Sequence, residues 1–263
     1  MHDRATESIG EAQPRPTYRR AAPIYAVALA LALAACAVRP APPLTTPAPL
    51  ARTVDLSHVV REDMPHPPGE LPPRLLRGPA GTLLQLQIGA NTGSLLRVVA
   101  APGATLSNLE QLSPRDLVLP AVLIDARDRA QDTPGFALSA ADVRAWERAH
   151  GTIPPGALVL LATGWDLRWG DADTYLSRDA SGAPSVPSFG PDAADLLLNQ
   201  RGVAALGIDA PGVPHAPAAG FCLMLENLTS LEQLPPTGAT VVIGALKLQA
   251  AQSSPARVLA LVP

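Results

Sequence analysis

The spacing of the serine, cysteine and histidine residues in this sequence gives no catalytic triad. Ser57 and His58 are adjacent in the chain, which does not place a hydroxyl and an imidazole as nucleophile and base. The chain also has no Gly-x-Ser-x-Gly turn of the kind that presents a serine nucleophile. Cys222 lies in an apolar stretch, where a cysteine behaves as a small buried hydrophobe. Hydrolysis by a serine or cysteine nucleophile is therefore disfavoured.

Composition and charge exclude further classes of protein. The 263 residues are 47% hydrophobic and 16% charged, which indicates a folded chain rather than a disordered or fibrous one. The sequence has 20 basic and 23 acidic residues and no basic stripe, so nucleic-acid binding has no electrostatic basis. Phosphate-binding loops and glycine-rich dinucleotide motifs are absent from the sequence as well.

The first 35 residues have the features of an export signal. A polar stretch ends in Arg19-Arg20, and the apolar run from 21 to 35 is shorter than the roughly 20 residues that span a bilayer. The run closes with Leu33-Ala34-Ala35-Cys36, which resembles the lipobox of bacterial lipoproteins. That resemblance implies cleavage before Cys36 and acylation of its sulfur, and two or three acyl chains anchor a protein stably. An ordinary signal peptide with a chance cysteine is the alternative, and twin-arginine export is a poorer match.

Three segments follow from this interpretation. Residues 1–35 are the signal peptide, residues 36–51 are the lipidated Cys36 and a proline-rich tether, and residues 52–263 form one domain. Five prolines between positions 40 and 49 favour an extended, semi-rigid spacer. We therefore expect an exported, membrane-anchored lipoprotein that faces the periplasm or the cell exterior. With Cys36 lipidated, Cys222 has no disulfide partner.

The domain is predicted to be dominated by strands. Strands are expected at 54–60, 82–88, 94–100, 118–125, 157–163, 203–209, 240–246 and 257–261, with 82–88 half-buried because it alternates around two glutamines. A capping box at Ser139–Asp142 opens a helix to about Ala149, and a second helix covers Pro191–Arg201. Because helices intervene irregularly, we expect a mixed α/β fold with much antiparallel pairing rather than a doubly wound sheet.

Four short segments carry a resemblance to a known family. They are Val54–His58, Thr163–Trp165, Gly207–Pro211 and Glu226–Leu228, in this order. Together they resemble the cyclase family, which includes bacterial kynurenine formamidases and related metal-dependent amide and ring hydrolases. The resemblance extends from about residue 54 to 261. It implies a barrel-like, largely antiparallel β core flanked by helices and assembled as dimers or tetramers.

The resemblance also implies a metal-dependent chemistry. The family motif is His-Thr-Gly-Thr-His-x-Asp-x-Pro-x-His, whose imidazoles and carboxylate suit Zn²⁺ or Mn²⁺. Such a metal lowers the pKa of a bound water, so that hydroxide attacks a carbonyl at neutral pH. In the family the last histidine is a general acid/base, and a later His and Glu are further ligands. His215 and Glu226 align with these later ligands, and Asp209 precedes them.

In this chain the motif has lost its chemical groups. Asn91, Leu95, Arg97 and Ala101 stand where the family has His, His, Asp and His, while Thr92-Gly93-Ser94 keeps the centre of the motif. Arg97 puts a permanent positive charge where the metal would sit, and two unit charges about 4 Å apart repel by about 4 kcal/mol even at an effective dielectric near 20. We therefore expect no metal cofactor, although the family would use zinc or manganese. A weakened or different metal site, and a misaligned motif, are the alternatives.

The same substitutions predict an ion pair. A partly buried guanidinium needs acceptors, and Glu226 supplies a carboxylate of matching geometry, with Asp209 as the fallback partner of Arg97. His215 and Glu226, the residual ligand positions, are then expected to persist as a polar pair. No catalytic residue is assigned. The candidate pocket residues are Asn91, Ser94, Arg97, Asp209, His215 and Glu226.

The remaining histidine and tryptophan side chains have simpler expected roles. His58 is expected to face solvent or to make a hydrogen bond. His66 and His150 are expected at the surface, with His150 near a helix end where its charge suits the helix dipole. Trp165 and Trp169 flank a loop, and the sequence leaves open whether they line a pocket or only pack.

The sequence supports two functions. The first is a pseudoenzyme: a cell-envelope lipoprotein that keeps the cyclase-family fold and uses the old pocket for small-molecule binding or its surface for assembly. The second is an active amide or ring hydrolase, arylformamidase-like, with an unorthodox site. The expected partners are the membrane through the lipid anchor, a small-molecule ligand and further copies of the chain. The ligand and the oligomer number are not specified by the sequence.

Overall fold

The computed structural model describes residues 52–104, 108–131 and 133–263. The predicted signal peptide, Cys36 and the proline-rich tether lie outside these residues, so those predictions stand as they are. Within the described part of the chain, no helix is both long enough and apolar enough to cross a bilayer.

The described residues of the domain contain twelve strands, and seven of them close a barrel. They are β1 (Arg52–Asp55), β2 (Arg74–Arg77), β3 (Leu83–Gln87), β4 (Leu95–Ala100), β5 (Val118–Asp125), β6 (Ala137–Leu138), β7 (Leu158–Ala162), β8 (Ser188–Phe189), β9 (Ala205–Ile208), β10 (Phe221–Glu226), β11 (Ala239–Ala245) and β12 (Ser253–Val262). The ring runs β12-β11-β5-β7-β9-β10-β4 and returns to β12. Neighbours from β5 to β10 are parallel, and the other pairings are antiparallel. The predicted mixed, barrel-like α/β fold is confirmed.

The alternation of side chains along each strand separates two cores. Leu158 and Leu160 of β7 point into the barrel, whereas Val159 and Leu161 point outward. Both faces of β7 are buried, which explains why the segment reads as an unbroken apolar run. In β4, Leu96 and Val98 fill the barrel, so Arg97 between them lies on the outer face.

In the part of the chain that the structure describes, four short helices cover the outer core. They are α1 (Arg127–Gln131), α2 (Ala140–His150), α3 (Ala172–Tyr175) and α4 (Pro191–Asp195), which continues as a π-helical turn over Leu196–Gln200. The capping box predicted for α2 is present, because Ser139 Oγ accepts from the Asp142 amide and the Asp142 carboxylate accepts from the Ser139 amide. The predicted helix 191–201 exists, but its second half has the wider π turn.

Three sequence predictions about strands were wrong. The first strand ends at Asp55 rather than Val60, because the chain leaves the sheet there and makes only a single bridge, Ser57 to Leu228. The segment predicted as half-buried, β3, is exposed along its whole length, since it pairs only with β2 in a two-stranded ribbon. The apolar stretch around Cys222 was not assigned as a strand, yet it forms β10 in the barrel wall.

Candidate functional site

The motif positions converge on the outer face of the barrel, where β4 and β10 lie side by side. Met224 is the register partner of Arg97, and Glu226 is the partner of Leu95. Arg97 and Glu226 project from the same face of these neighbouring strands, so their side chains meet diagonally. Arg97 Nε donates to Glu226 Oε1 at 2.7 Å, with the two side chains 25% and 7% exposed. The predicted Arg97–Glu226 contact is confirmed.

The second oxygen of Glu226 faces the loop after β9. The Gly212 amide lies 3.4 Å from Glu226 Oε2. A Cβ at position 212 would stand 2.5 Å from Glu226 Cγ, so only a glycine lets this loop pass so close to the carboxylate. Both carboxylate oxygens of Glu226 are thus directed at protein donors.

Asn91 extends the ion pair into a polar network. Its Oδ1 accepts from Arg97 Nη1 at 3.0 Å and from Ser253 Oγ at 2.7 Å, and its Nδ2 donates to Glu70 Oε1 at 2.6 Å. Thr92 Oγ1 donates to the other oxygen of Glu70 at 3.2 Å. Sequence reasoning missed Glu70, because it lies in a proline-rich loop with no motif around it.

The residues present do not fit a divalent metal. The guanidinium of Arg97 sits against the carboxylate that the resemblance assigns to the metal, and Asn91 and Leu95 offer no imidazole. Catalytic zinc normally takes three protein ligands. Over residues 52–104, 108–131 and 133–263, no group of three or more His, Cys, Asp or Glu side chains is arranged to hold a metal ion. We assign no reaction step to a metal here.

A small cavity of about 60 Å³ opens beside the network. Three of the six candidate residues line it, namely Asn91, Arg97 and Glu226. Its other walls are the proline-rich segment Pro65–Pro67, Trp169, Tyr175, Leu176, Pro211 and Asn227. His66, predicted as a surface residue, is therefore half-buried at this cavity, because the proline-rich loop folds over the barrel rather than extending into solvent.

Asp209 is not a partner of Arg97 but anchors the loop after β7. Its carboxylate accepts from the Thr163 amide at 2.8 Å, the Thr163 hydroxyl at 2.5 Å and the Gly164 amide at 2.7 Å. The side chain is buried at the carboxyl end of β9, one strand away from β7. Arg97 does not pair with Asp209, its fallback partner, because its guanidinium contacts Glu226 on the adjoining strand.

Asn227 and Ser94 form the structural floor under the site. Asn227 Oδ1 accepts from the Tyr175 hydroxyl at 2.9 Å, and its Nδ2 donates to the Gly93 carbonyl at 2.7 Å. Ser94 Oγ donates to the Asn227 carbonyl at 2.6 Å and accepts from the His58 amide at 2.9 Å. Ser94 thus joins the motif strand to the strand end at Asn227, and it does not line the 60 Å³ cavity.

Aromatic rings pack in a row behind this floor. The rings of His58 and Trp169 stack with centroids 4.0 Å apart, and Trp169 meets Tyr175 edge-on at 4.9 Å. His58 is therefore half-buried, and it makes a hydrogen bond with the backbone of Leu228, which is the second of the two expected roles. Its Nε2 is buried without a hydrogen-bond partner among the described residues. Trp169 both packs and lines the small cavity, whereas Trp165 is buried and donates its indole N–H to the Tyr175 carbonyl at 2.9 Å.

His215 is turned away from Glu226. Its Nε2 lies 2.9 Å from the Phe189 carbonyl, and its own carbonyl accepts from the Cys222 thiol at 3.4 Å. The expected polar pair with Glu226 was wrong, because the loop carrying His215 is held against β8 instead. Cys222 is buried and free, as predicted, and burial raises the pKa of its thiol to about 12. His150 is exposed at the end of α2, as expected.

Burial shifts the pKa of Asp209 and the pKa of His58 in opposite directions, which gives a testable pH dependence. Burial raises the pKa of Asp209 to about 7, outweighing its hydrogen bonds from Thr163. Because the folded state then favours the protonated carboxyl, Asp209 contributes stability that is complete below about pH 4 and is lost as the pH rises to 7. Burial lowers the pKa of His58 to about 4, so the folded state favours the neutral imidazole. The stability that His58 contributes is therefore present above about pH 6.5 and is lost as the pH falls to 4.

We expect these opposing effects to appear in single variants. Relative to the unchanged protein, Asp209→Asn should lose stability more steeply as the pH falls from 6.5 to 4.5. His58→Phe, which keeps a ring on Trp169, should lose it more steeply as the pH rises over the same interval. Each difference in slope is at most about 1.4 kcal/mol per pH unit. Urea unfolding at four pH values measures both, and parallel curves for all three proteins would contradict the assignment.

Comparison with known proteins agrees with the barrel fold of the domain. The Cyclase family model, described as "Putative cyclase", matches residues 54–215, which is more than half of the chain. The chain belongs to the cyclase family. The match includes the altered motif at 91–101, so these substitutions lie within the cyclase-family domain itself.

Relatives within the cyclase family include isatin hydrolases. The isatin hydrolase of Roseibium aggregatum is 35% identical over 167 residues, which cover 59% of this chain and 63% of that protein. The structure of isatin hydrolase A from Labrenzia aggregata, bound to benzyl benzoate, is 27% identical with a TM-score of 0.71, covering 80% of this chain and 93% of that one. Isatin hydrolase A from Ralstonia solanacearum is 26% identical with a TM-score of 0.70, covering 96% and 100%.

Proposed function

We propose that this chain is a non-hydrolytic member of the cyclase family, anchored at the cell envelope through Cys36 and acting by binding. The observation that carries the proposal is the 2.7 Å contact between Arg97 Nε and Glu226 Oε1. The family resemblance assigns these two positions to acidic ligands of a shared metal site. Here a guanidinium belonging to the protein neutralises Glu226 and takes the place of the cation.

The electrostatics of the site support this proposal. Water activation requires a metal or a free base, and both oxygens of Asp209 already accept hydrogen bonds from Thr163 and Gly164. The carboxylate of Glu226 is bound by Arg97 and faces the Gly212 amide. Neither carboxylate therefore has an oxygen that is free of a protein donor.

The size of the cavity supports it as well. A space of about 60 Å³ holds about two water molecules. The relatives are named for the hydrolysis of isatin, a bicyclic amide, which is larger than this cavity.

A second candidate function is hydrolysis of an amide or a small ring. It is favoured by the 35% identity to an isatin hydrolase and by His66, an imidazole that lines the cavity. His66 Nδ1 lies 3.4 Å from the Met64 carbonyl, which leaves the other ring nitrogen without a hydrogen bond to the described residues. Turnover of isatin or of an N-formyl aromatic amine that is abolished by His66→Gln would favour this function over the proposal.

Metal content tests the loss of the family's metal site, on which the proposal depends. We expect the full chain, purified in detergent and incubated with zinc or manganese, to retain far less than one ion per chain after desalting. The physical reason is the occupation of the Glu226 carboxylate by Arg97. Elemental analysis measures the content. One tightly held ion per chain that is lost in Glu226→Gln would overturn the proposal.

The anchor is tested independently. We expect Cys36→Ser to leave the precursor uncleaved or to release the protein from membranes, because acylation and cleavage both require the sulfur. Metabolic labelling with a fatty-acid analogue, followed by membrane fractionation, measures the effect. Cys222→Ser is the matched control and should be labelled normally. Equal labelling of the Cys36→Ser protein would exclude a lipid at this position.

A further inference from the structure

A second, larger cavity lies apart from the Arg97 site. It has a volume of about 450 Å³ and is lined by residues that directly follow β5 and β7, including Arg127, Gly164 and Arg168. Because β5 and β7 are parallel neighbours, their carboxyl ends meet at this edge of the barrel. The volume of this cavity is in the range of small-molecule sites.

Arg168 supplies this cavity with a cation that is not committed elsewhere. Its Cζ lies 3.9 Å from the centroid of the Trp165 ring, and the tryptophan is only 5% exposed. Stacking on an aromatic face fixes a guanidinium while its N–H edge stays available. Within residues 52–104, 108–131 and 133–263, the Arg168 guanidinium has no hydrogen bond or ion pair with another side chain.

Several other donors around the cavity are already engaged. The Thr163 and Gly164 amides donate to Asp209. Arg127 forms a two-pronged bond with Asp125, with Nε 3.0 Å and Nη2 2.7 Å from the carboxylate oxygens. Arg168 is therefore the lining cation that has no carboxylate partner among the described residues.

The charges of the lining favour an anion of low charge. Asp125 neutralises Arg127, so the lining retains one positive charge at Arg168 and one negative charge at Asp128. Asp128 repels a dianion such as a phosphate ester more strongly than a monocarboxylate, and a carboxylate matches the single guanidinium of Arg168 in charge and geometry. Leu167, whose side chain is 88% exposed, adds an apolar wall beside Arg168.

We propose that this cavity is a binding site for a small organic monocarboxylate. The carboxylate takes the N–H edge of Arg168 in a bidentate contact, and the hydrocarbon part lies against Leu167. The stacked Trp165 holds the guanidinium in place for the ligand. The site is separate from the Arg97 network, so its test is independent of the proposed function.

The test is a titration of the full chain in detergent with sodium benzoate, followed through the indole N–H resonance of Trp165. Trp146→Phe and Trp169→Phe variants assign that resonance by elimination. We expect a saturable shift that Arg168→Gln weakens at least about tenfold, as loss of a charged hydrogen bond does. Arg168→Lys should fall between the two, because it keeps the charge and loses the planar fork.

Three comparisons make the result specific. Arg61→Gln is the matched control, since Arg61 is an exposed arginine paired with Asp63 elsewhere, and it should bind benzoate as before. Benzyl alcohol, which lacks the carboxylate, should not shift the Trp165 resonance, and inorganic phosphate should bind more weakly than benzoate.

Several results would overturn the proposal. They are the absence of saturable benzoate binding, equal affinity in Arg168→Gln, an equal loss in Arg61→Gln, and tighter binding of phosphate. If Arg168→Gln fails to fold, Arg168→Lys and the comparison of benzoate with benzyl alcohol on the unchanged protein still decide the matter.

Discussion

Arg97→Ala should lower the free energy of unfolding by about 2–4 kcal/mol. Removing one partner of a buried pair strands the other charge, and the Glu226 side chain that would be left is only 7% exposed. The effect is placed below the largest values for buried pairs because the Arg97 side chain is 25% exposed and partly screened by solvent. Asn91 would lose a donor as well, since Arg97 Nη1 donates to its Oδ1. Urea unfolding measures the loss.

A double-mutant cycle distinguishes the pair from two independent side chains. Arg97→Met combined with Glu226→Leu should cost clearly less than the sum of the single changes, because no unpaired charge then remains. Arg61 and Asp63 provide the matched control pair, since their side chains are 47% and 76% exposed and their coupling should be near zero. Strict additivity at 97 and 226 would show that the pocket does not depend on this ion pair.

Rebuilding the family motif should create a metal site where none is expected now. The four changes are Asn91→His, Leu95→His, Arg97→Asp and Ala101→His. Arg97 already contacts both Asn91 and Glu226, so groups at these positions converge on one point. Leu95 lies opposite Glu226 in the strand register, and its side chain projects on the same face as Arg97. We expect the fourfold variant to bind one zinc ion per chain, measured by calorimetry and elemental analysis.

The controls for the rebuilt site come from the same residues. Arg97→Asp alone should not bind zinc stoichiometrically, because it adds a carboxylate beside Glu226 without supplying an imidazole. Adding Glu226→Gln to the fourfold variant should weaken zinc binding by more than the roughly 10–100-fold that loss of an outer-shell partner costs. His215→Ala should leave it unchanged, since His215 is held at the Phe189 carbonyl. A fourfold variant that folds without binding metal would show that these positions do not share one site.

Local pattern was sufficient for much of the fold. The strand 118–125 has the bounds expected from its apolar run, and the capping box at Ser139–Asp142 begins α2 as expected. Both features depend on contacts within a few residues, so sequence alone reveals them. The stretch Phe221–Glu226 was missed because a short apolar run does not distinguish a strand from a buried segment of another kind. The exposure of β3 was missed because alternation shows which residues share a face, but not whether that face is covered.

The candidate site, like the fold, was predictable from the sequence in part. Residue types alone indicate that the motif at 91–101 has lost its imidazoles and carboxylate, and that Arg97 pairs with Glu226, because charge and ligand chemistry belong to residue types. The contact of Glu70 with the network and the binding of His215 at Phe189 are evident only from the folded structure. Those contacts link residues that are remote in the chain through the paths of irregular loops. Side-chain chemistry can be read residue by residue, whereas the meeting of two loops depends on how the whole barrel closes.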